Sequence, residues 1–134
     1  MTFYHRQIIK IRDRVYPHDD LINKVVHAKK YMDIHFANNI CLKDISEEAF
    51  YSKFHFIRVF KSCYGRTPFQ YLASIRIKEA KKLLQASHSV TDTCFSVGFD
   101  SVTYFTGLFK KVTGLTPALF QKKYRKPQFS RSIL

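Results

Sequence analysis

Shifted by 49 residues, this chain matches itself. Ser52 falls on Ser101, Phe56 on Phe105, Phe60 on Phe109, Lys61 on Lys110, Gly65 on Gly114, Thr67 on Thr116, Pro68 on Pro117 and Arg76 on Arg125. Eight identities in the 25 positions 52–76 far exceed the roughly one or two that chance supplies. Two copies are too few to stack into a solenoid, so they specify a duplicated supersecondary unit.

Each copy has the pattern of a helix, a tight turn and a second helix. In the first copy Leu42, Ile45, Ser46 and Ala49 keep the i, i+3, i+4, i+7 spacing of one helix face. The matching set in the second copy is Val90, Thr93, Cys94 and Val97, offset by 48, so one extra residue sits in the second turn, around Gly98-Phe99-Asp100. Gly98 suits a turn position of positive φ, and Ser52 and Ser101 suit the N-caps of the helices that follow. Those helices carry an inward apolar stripe: Phe56, Val59, Phe60 and Cys63, matched by Phe105, Leu108, Phe109 and Val112. The opposite face holds Phe54, Ile57, Arg58 and Lys61 in the first copy, and Thr103, Thr106, Gly107 and Lys110 in the second. Gly65 and Gly114 end the helices, and Thr67-Pro68 and Thr116-Pro117 start the next ones.

Between the copies, residues 68–86 have the pattern of one long helix with Tyr71, Leu72, Ile75, Ala80, Leu83 and Leu84 inside and Lys78, Lys81 and Lys82 outside. An opening helix over about residues 19–37 presents Leu21, Ile22, Val25, Val26, Met32 and Phe36. The expected organisation is all-α, with about seven helices. An extension over residues 1–18 precedes a first helix-turn-helix lobe over 19–66. A linker helix over 67–88 leads to a second lobe over 89–126 and a basic tail over 127–134, with both termini poorly ordered. With 134 residues the chain is long enough to bury a core without staples, and 4 Gly and 4 Pro are few for a loop-rich protein.

Charge narrows the function. The 23 Lys and Arg against 10 Asp and Glu leave a net charge of +13, which favours a polyanionic partner, nucleic acid before an anionic membrane. The charge lies in blocks: residues 53–82 hold eight Lys or Arg and one acid, residues 101–134 hold seven and none, and residues 83–109 hold no Lys or Arg. No signal-peptide pattern and no 18-residue apolar run are present, so no membrane partner is expected. Cys41, Cys63 and Cys94 lack zinc-ligand spacing and fit reduced, buried thiols of a cytoplasmic protein; no metal and no cofactor are expected. The six His residues are scattered, without an i, i+4 pair or a Gly-rich phosphate loop, which argues against an enzyme. A membrane-surface or protein-binding helical module would account for the charge but not for the duplicated turn chemistry.

The runs SKFHFIRVFK (52–61), GRTPFQYLASIRIKEAKKLL (65–84) and GFDSVTYFTGLFKKVTGLTP (98–117) resemble the DNA-binding domain of the AraC/XylS transcription regulators, and the resemblance covers about residues 19–125. It implies homeodomain-like lobes whose recognition helices enter successive major-groove segments of double-stranded DNA, bound by one monomer. A contact with RNA polymerase is a family-level expectation. Family base-reading positions fall on Phe54, Ile57 and Arg58 in the first lobe and on Val102, Thr103 and Thr106 in the second. Arg58 has the guanidinium that pairs with guanine O6 and N7, and Phe54 and Ile57 suit either thymine methyls or an unseen protein partner. Gly107 stands where the family commonly has Arg, so the first lobe is expected to dominate base readout. Phosphate contacts are expected from Ser52, Lys53, Lys61, Arg66, Thr67, Ser101, Lys110, Lys111 and Thr116. Only residues 1–18 precede the first helix, so either the chain is a standalone regulator or it is a fragment of one with a sensor domain.

Overall fold

In a computed structural model of the chain, residues 18–40 and 53–127 are described. Six helices, and no strand, occur among them: α1 His18–His35, α2 Lys53–Tyr64, α3 Pro68–Gln85, α4 Val90–Ser96, α5 Val102–Thr113 and α6 Pro117–Tyr124. The helix expected from Leu42, Ile45, Ser46 and Ala49 lies outside the described residues, as do Cys41, Ser52, both termini and the tail beyond residue 127. Two compact units divide the chain within α3, Met1–Ile75 and Arg76–Leu134.

The first unit is organised around Leu21, Val25, Ala28 and Met32 of α1, Phe56, Val59 and Phe60 of α2, and Leu72 of α3. Ile57, Cys63, Tyr71, Ile75 and Phe36 pack against this cluster without being fully enclosed. Val26 was expected inside but lies on the flank of α1, 36% exposed, because the inward stripe 21, 25, 28, 32 leaves it about a third of a turn away. Polar contacts reinforce the α1–α3 side. The Tyr71 hydroxyl donates to Asp33 Oδ1, and Lys29 Nζ donates to Asp33 Oδ2 at 2.9 Å. The same ammonium lies 5.9 Å from the Tyr64 ring centroid and 5.5 Å from that of Tyr71. At the head of α3, Thr67 Oγ1 accepts the Gln70 N–H at 3.2 Å while Gln70 Oε1 accepts the Thr67 N–H at 3.0 Å, a reciprocal capping box.

The second unit has a run of aromatic rings at its centre. Phe99, Phe105, Phe109 and Phe120 follow one another at centroid separations of 5.2, 5.7 and 5.3 Å, and Ile77, Ala80, Leu84, Cys94 and Val97 complete the core. Its helix-turn-helix is built as the sequence implies. Ser89 Oγ caps α4 by accepting the Asp92 N–H at 3.0 Å, and Gly98 turns the chain at φ 102°, which an L side chain rarely adopts. Phe99 then drops into the core, and Ser101 Oγ caps α5 by accepting the Tyr104 N–H at 3.2 Å. Gly114 closes α5 in the left-handed region at φ 84°, its N–H on the Lys110 carbonyl at 2.8 Å; Gly65 does the same for α2. Val112 departs from expectation: it is 54% exposed. The inward stripe of α5 ends at Phe109, since the helix stops at Thr113 and Gly114 turns the chain toward Thr116.

The end of α3 is held from α6. Ser87 adopts φ 71° after the helix, with the His88 N–H on the Leu83 carbonyl and the Ser87 N–H on the Leu84 carbonyl, each at 3.1 Å. Gln121 Nε2 donates to the carbonyls of Leu84 (3.0 Å) and His88 (2.6 Å), the Lys126 N–H to Gln85 O (3.1 Å), and Arg125 Nε to Ser87 Oγ (2.9 Å). The last-turn carbonyls that a helix leaves unmatched are thus bonded here by side chain and backbone from one neighbour.

Candidate nucleic-acid interface

The two faces of α2 have opposite characters. Phe56, Val59 and Phe60 are fully buried, whereas Phe54 is 75% exposed, and Arg58 and Lys61 are exposed. Burying a Phe side chain is worth about 1.5–3 kcal/mol, so Phe54 leaves most of that gain unused until something covers the ring. Ile57, expected with Phe54 on the solvated face, is half-buried and leans on the core, because it sits at the edge between the two faces. Among the described residues, no ion pair or side-chain hydrogen bond engages Arg58, Lys61 or Arg66. Lys53 opens α2. His55 lies one turn before Arg58, half-buried; burial first, and the Arg58 charge second, lower the pKa of its imidazole from the ordinary value.

In α5 the residues expected to read bases are short. Thr103 and Gly107 are exposed, Val102 and Thr106 half-buried, and Lys110 and Lys111 follow, exposed and without an ion pair among the described residues. Gly107 occupies ordinary helix backbone, and a Cβ added to it would meet nothing within 4 Å. A mid-helix glycine costs about 0.5–1 kcal/mol relative to alanine, and no close packing requires it. Tyr104, which the sequence reading omitted, is 62% exposed on the first turn. Its signal was present in the repeat register, where it takes the position of His55. Arg76, by contrast, is committed to the fold: its guanidinium lies 5.5 Å from the Phe99 ring centroid, and burial lowers its pKa against the raising effect of Asp100 and Tyr104.

The helix starts named for phosphate contact are partly used by the protein itself. Thr67, Ser101 and Thr116 each accept the N–H three residues on, the last from Leu119 at 3.3 Å. Pro68 and Pro117 remove a further donor at their helix starts. What these termini offer a phosphate is therefore a hydroxyl proton and the remaining first-turn N–H groups, fewer than an uncapped helix presents. Among the described residues no group of three or more His, Cys, Asp or Glu is placed to hold a metal ion, and no helix is long and apolar enough to cross a membrane. Cys63 and Cys94 are in no disulfide, and burial pushes the pKa of Cys94 up.

The helix-turn-helix domain family matches residues 45–123. The chain belongs to the AraC/XylS family of helix-turn-helix regulators. DNA binding in transcription regulation is the function of this domain. Among its relatives, the bifunctional transcriptional activator/DNA repair enzyme AdaA of Bacillus subtilis is 35% identical over 94 residues, 69% of this chain and 44% of that protein. The probable transcription factor PqrA of Proteus vulgaris is 32% identical over 112 residues, 81% of this chain and 89% of PqrA. The DNA-binding domain of the global transcriptional factor AdpA, solved in complex with a target DNA, superposes with a TM-score of 0.70 at 27% identity, covering 75% of this chain and 91% of that one. The chain thus spans less than half the length of AdaA but most of PqrA.

Proposed function

We propose that the chain binds an asymmetric double-stranded DNA site as a monomer, with a first lobe over 19–66 and a second over 89–126 joined by the linker helix over 67–88. Each recognition helix, α2 and α5, occupies one major-groove segment, and the two half-sites lie about 34 Å apart, one turn of the duplex. Arg58, Phe54 and Ile57 read bases in the first lobe, with Arg58 on guanine O6 and N7. Val102, Thr103 and Thr106 read the second, more weakly. Lys53, Lys61, Arg66, Lys110 and Lys111, with Ser52, Thr67, Ser101 and Thr116 at helix starts, hold phosphates and supply most of the affinity and its salt dependence.

The observation that carries this reading is the outer face of α2: an exposed Phe54 beside exposed Arg58 and Lys61, set directly behind a fully buried core face. A relative of the same fold bound to its target DNA supports the choice of ligand. The domain contributes no catalytic group, works in the cytoplasm, and takes RNA polymerase as a further partner. Selection from a randomised duplex library at about 150 mM salt tests the reading. A strong block and a weaker one about a helical turn apart support it; a palindrome makes the unit a dimer, and no enrichment refutes sequence-specific binding.

A further inference from the structure

We propose that Gly107 is a notch through which the backbone of α5 presses against the DNA, so that this helix reads thymine methyl groups at van der Waals range. This rests on α5 being a base-reading helix. Three observations converge on it. The residues assigned to base reading, Val102, Thr103 and Thr106, with Gly107 one turn on from Thr103, extend no more than two bonds beyond Cα, while Tyr104, exposed on the same first turn, is the one long side chain beside them. Side chains that short touch a base edge only if the helix backbone itself lies close to it, whereas an arginine reaches from much further away.

Gly107 also has no work inside the protein. Its backbone is ordinary helix, and the space where a Cβ would stand is open. Bare helix backbone is therefore exposed at Gly107, where an outside partner can approach it more closely than at a residue carrying a side chain. The surroundings identify that occupant's chemistry. Lys110 and Lys111 follow on the next turn, exposed, and residues 101–134 contain no acid, so the face is made for a polyanion. Of the groups a duplex shows in its major groove, the thymine C5 methyl is the one that short aliphatic side chains and bare backbone match.

The test pairs one substitution with one atomic change in the DNA. Gly107→Ala is expected to raise the melting temperature, as alanine suits a helix, yet to weaken binding to the selected duplex about fivefold or more, the scale of losing one base-pair contact. Replacing the second half-site thymines by deoxyuridine, which lacks only the methyl, is expected to weaken the unsubstituted protein comparably. Gly107→Ala should then cost little further on that duplex, since both changes remove the same contact. The proposal is overturned if Gly107→Ala binds as tightly as the parent, or if deoxyuridine is tolerated. A parent protein with no base preference in the second half-site overturns the reading role of α5 as well, an outcome separate from a preference that persists while Gly107→Ala is silent.

Discussion

Replacing Arg58 with alanine separates base reading from phosphate holding. Arg58 is exposed, with no ion pair or side-chain hydrogen bond among the described residues, and Phe56, Val59 and Phe60 behind it are fully buried without its help. Truncation therefore leaves folding stability within about 0.5 kcal/mol, because no core contact or cap is lost and alanine favours a helix. Loss of a bidentate guanine contact costs about 1–3 kcal/mol, which at 1.4 kcal/mol per tenfold is roughly 5- to 150-fold in Kd. The discriminating quantity is the salt slope. Each phosphate neutralised contributes about 0.9 to the slope of log K against log salt, whereas a base contact contributes almost nothing. Anisotropy titrations of Arg58→Ala against the selected duplex and a panel of single-base variants, at several salt concentrations, should show the loss at one position and an unchanged slope. A uniform loss across the panel with the slope reduced by about one would show Arg58 on the backbone, and the assignment of α2's reading residues would be wrong.

Three further outcomes follow from the geometry. Thr93 is fully buried and its Oγ1 has no partner among the described residues, so Thr93→Val should raise the urea midpoint by the equivalent of about 1 kcal/mol; a loss of stability would mean the hydroxyl is satisfied. Gly114 sits at φ 84°, where a Cβ is strained whatever the space, so Gly114→Ala should cost about 1–2 kcal/mol by thermal unfolding, opposite in sign to Gly107→Ala. Lys29 is held up to about 12, chiefly by its bond to Asp33 and then by Tyr71. Its contribution is thus complete below about 10.5 and lost as pH rises through about 12. The Tyr64 and Tyr71 hydroxyls, pushed up mainly by burial, act in the same direction, since the unfolded phenols ionise first. Denaturant titrations at stepped alkaline pH should show this decline, reduced in Lys29→Met; equal declines in both would remove Lys29 from the account.

What the sequence disclosed depended on how local each signal was. Turn chemistry was legible wherever the described residues test it: the N-caps Ser101, Thr67 and Thr116 and the glycines at 65, 98 and 114 act through one or two residues of backbone and adopt the expected geometry, while Ser52 lies outside the described residues. The buried Phe pairs at 56 and 60 and at 105 and 109 were legible because they repeat. Periodicity was poorer at the margins of each face. Val26 and Val112 were assigned inward and lie exposed, and Ile57 was assigned outward and lies half-buried, since a helical stripe marks a direction and not the point where the neighbouring element ends. Contacts between distant residues left no trace in spacing. The Tyr71–Asp33 bond and the grip of Gln121 and Arg125 on the end of α3 join positions more than 30 apart through polar atoms. Identities at Arg76 and Arg125 were visible in the repeat, but their uses, one over Phe99 and one on Ser87, could only be read from coordinates.

Those commitments bear on how a net charge of +13 acts. Lys29 is engaged by Asp33 and two aromatic rings, Lys82 by Glu79 at 3.1 Å, Arg76 by Phe99, and Arg125 by Ser87. Such cations still add to the long-range field that draws the protein toward DNA, but moving them onto a phosphate would first break a contact that the fold uses. Arg58, Lys61, Arg66, Lys110 and Lys111 carry no such obligation among the described residues. They also lie on or just after α2 and α5, the two helices whose inner faces form the cores. Lys30, Lys78, Lys81 and Lys122, on other helices, are equally uncommitted among the described residues, so charge accounts for attraction, and on the proposed reading the surface is chosen by what accompanies the charge. On α2 that charge stands with an exposed phenylalanine and the long side chain proposed to read bases, Arg58, whereas on α5 it follows short threonines, a glycine and the exposed Tyr104, which is why the two copies of one repeat are expected to read DNA at different range.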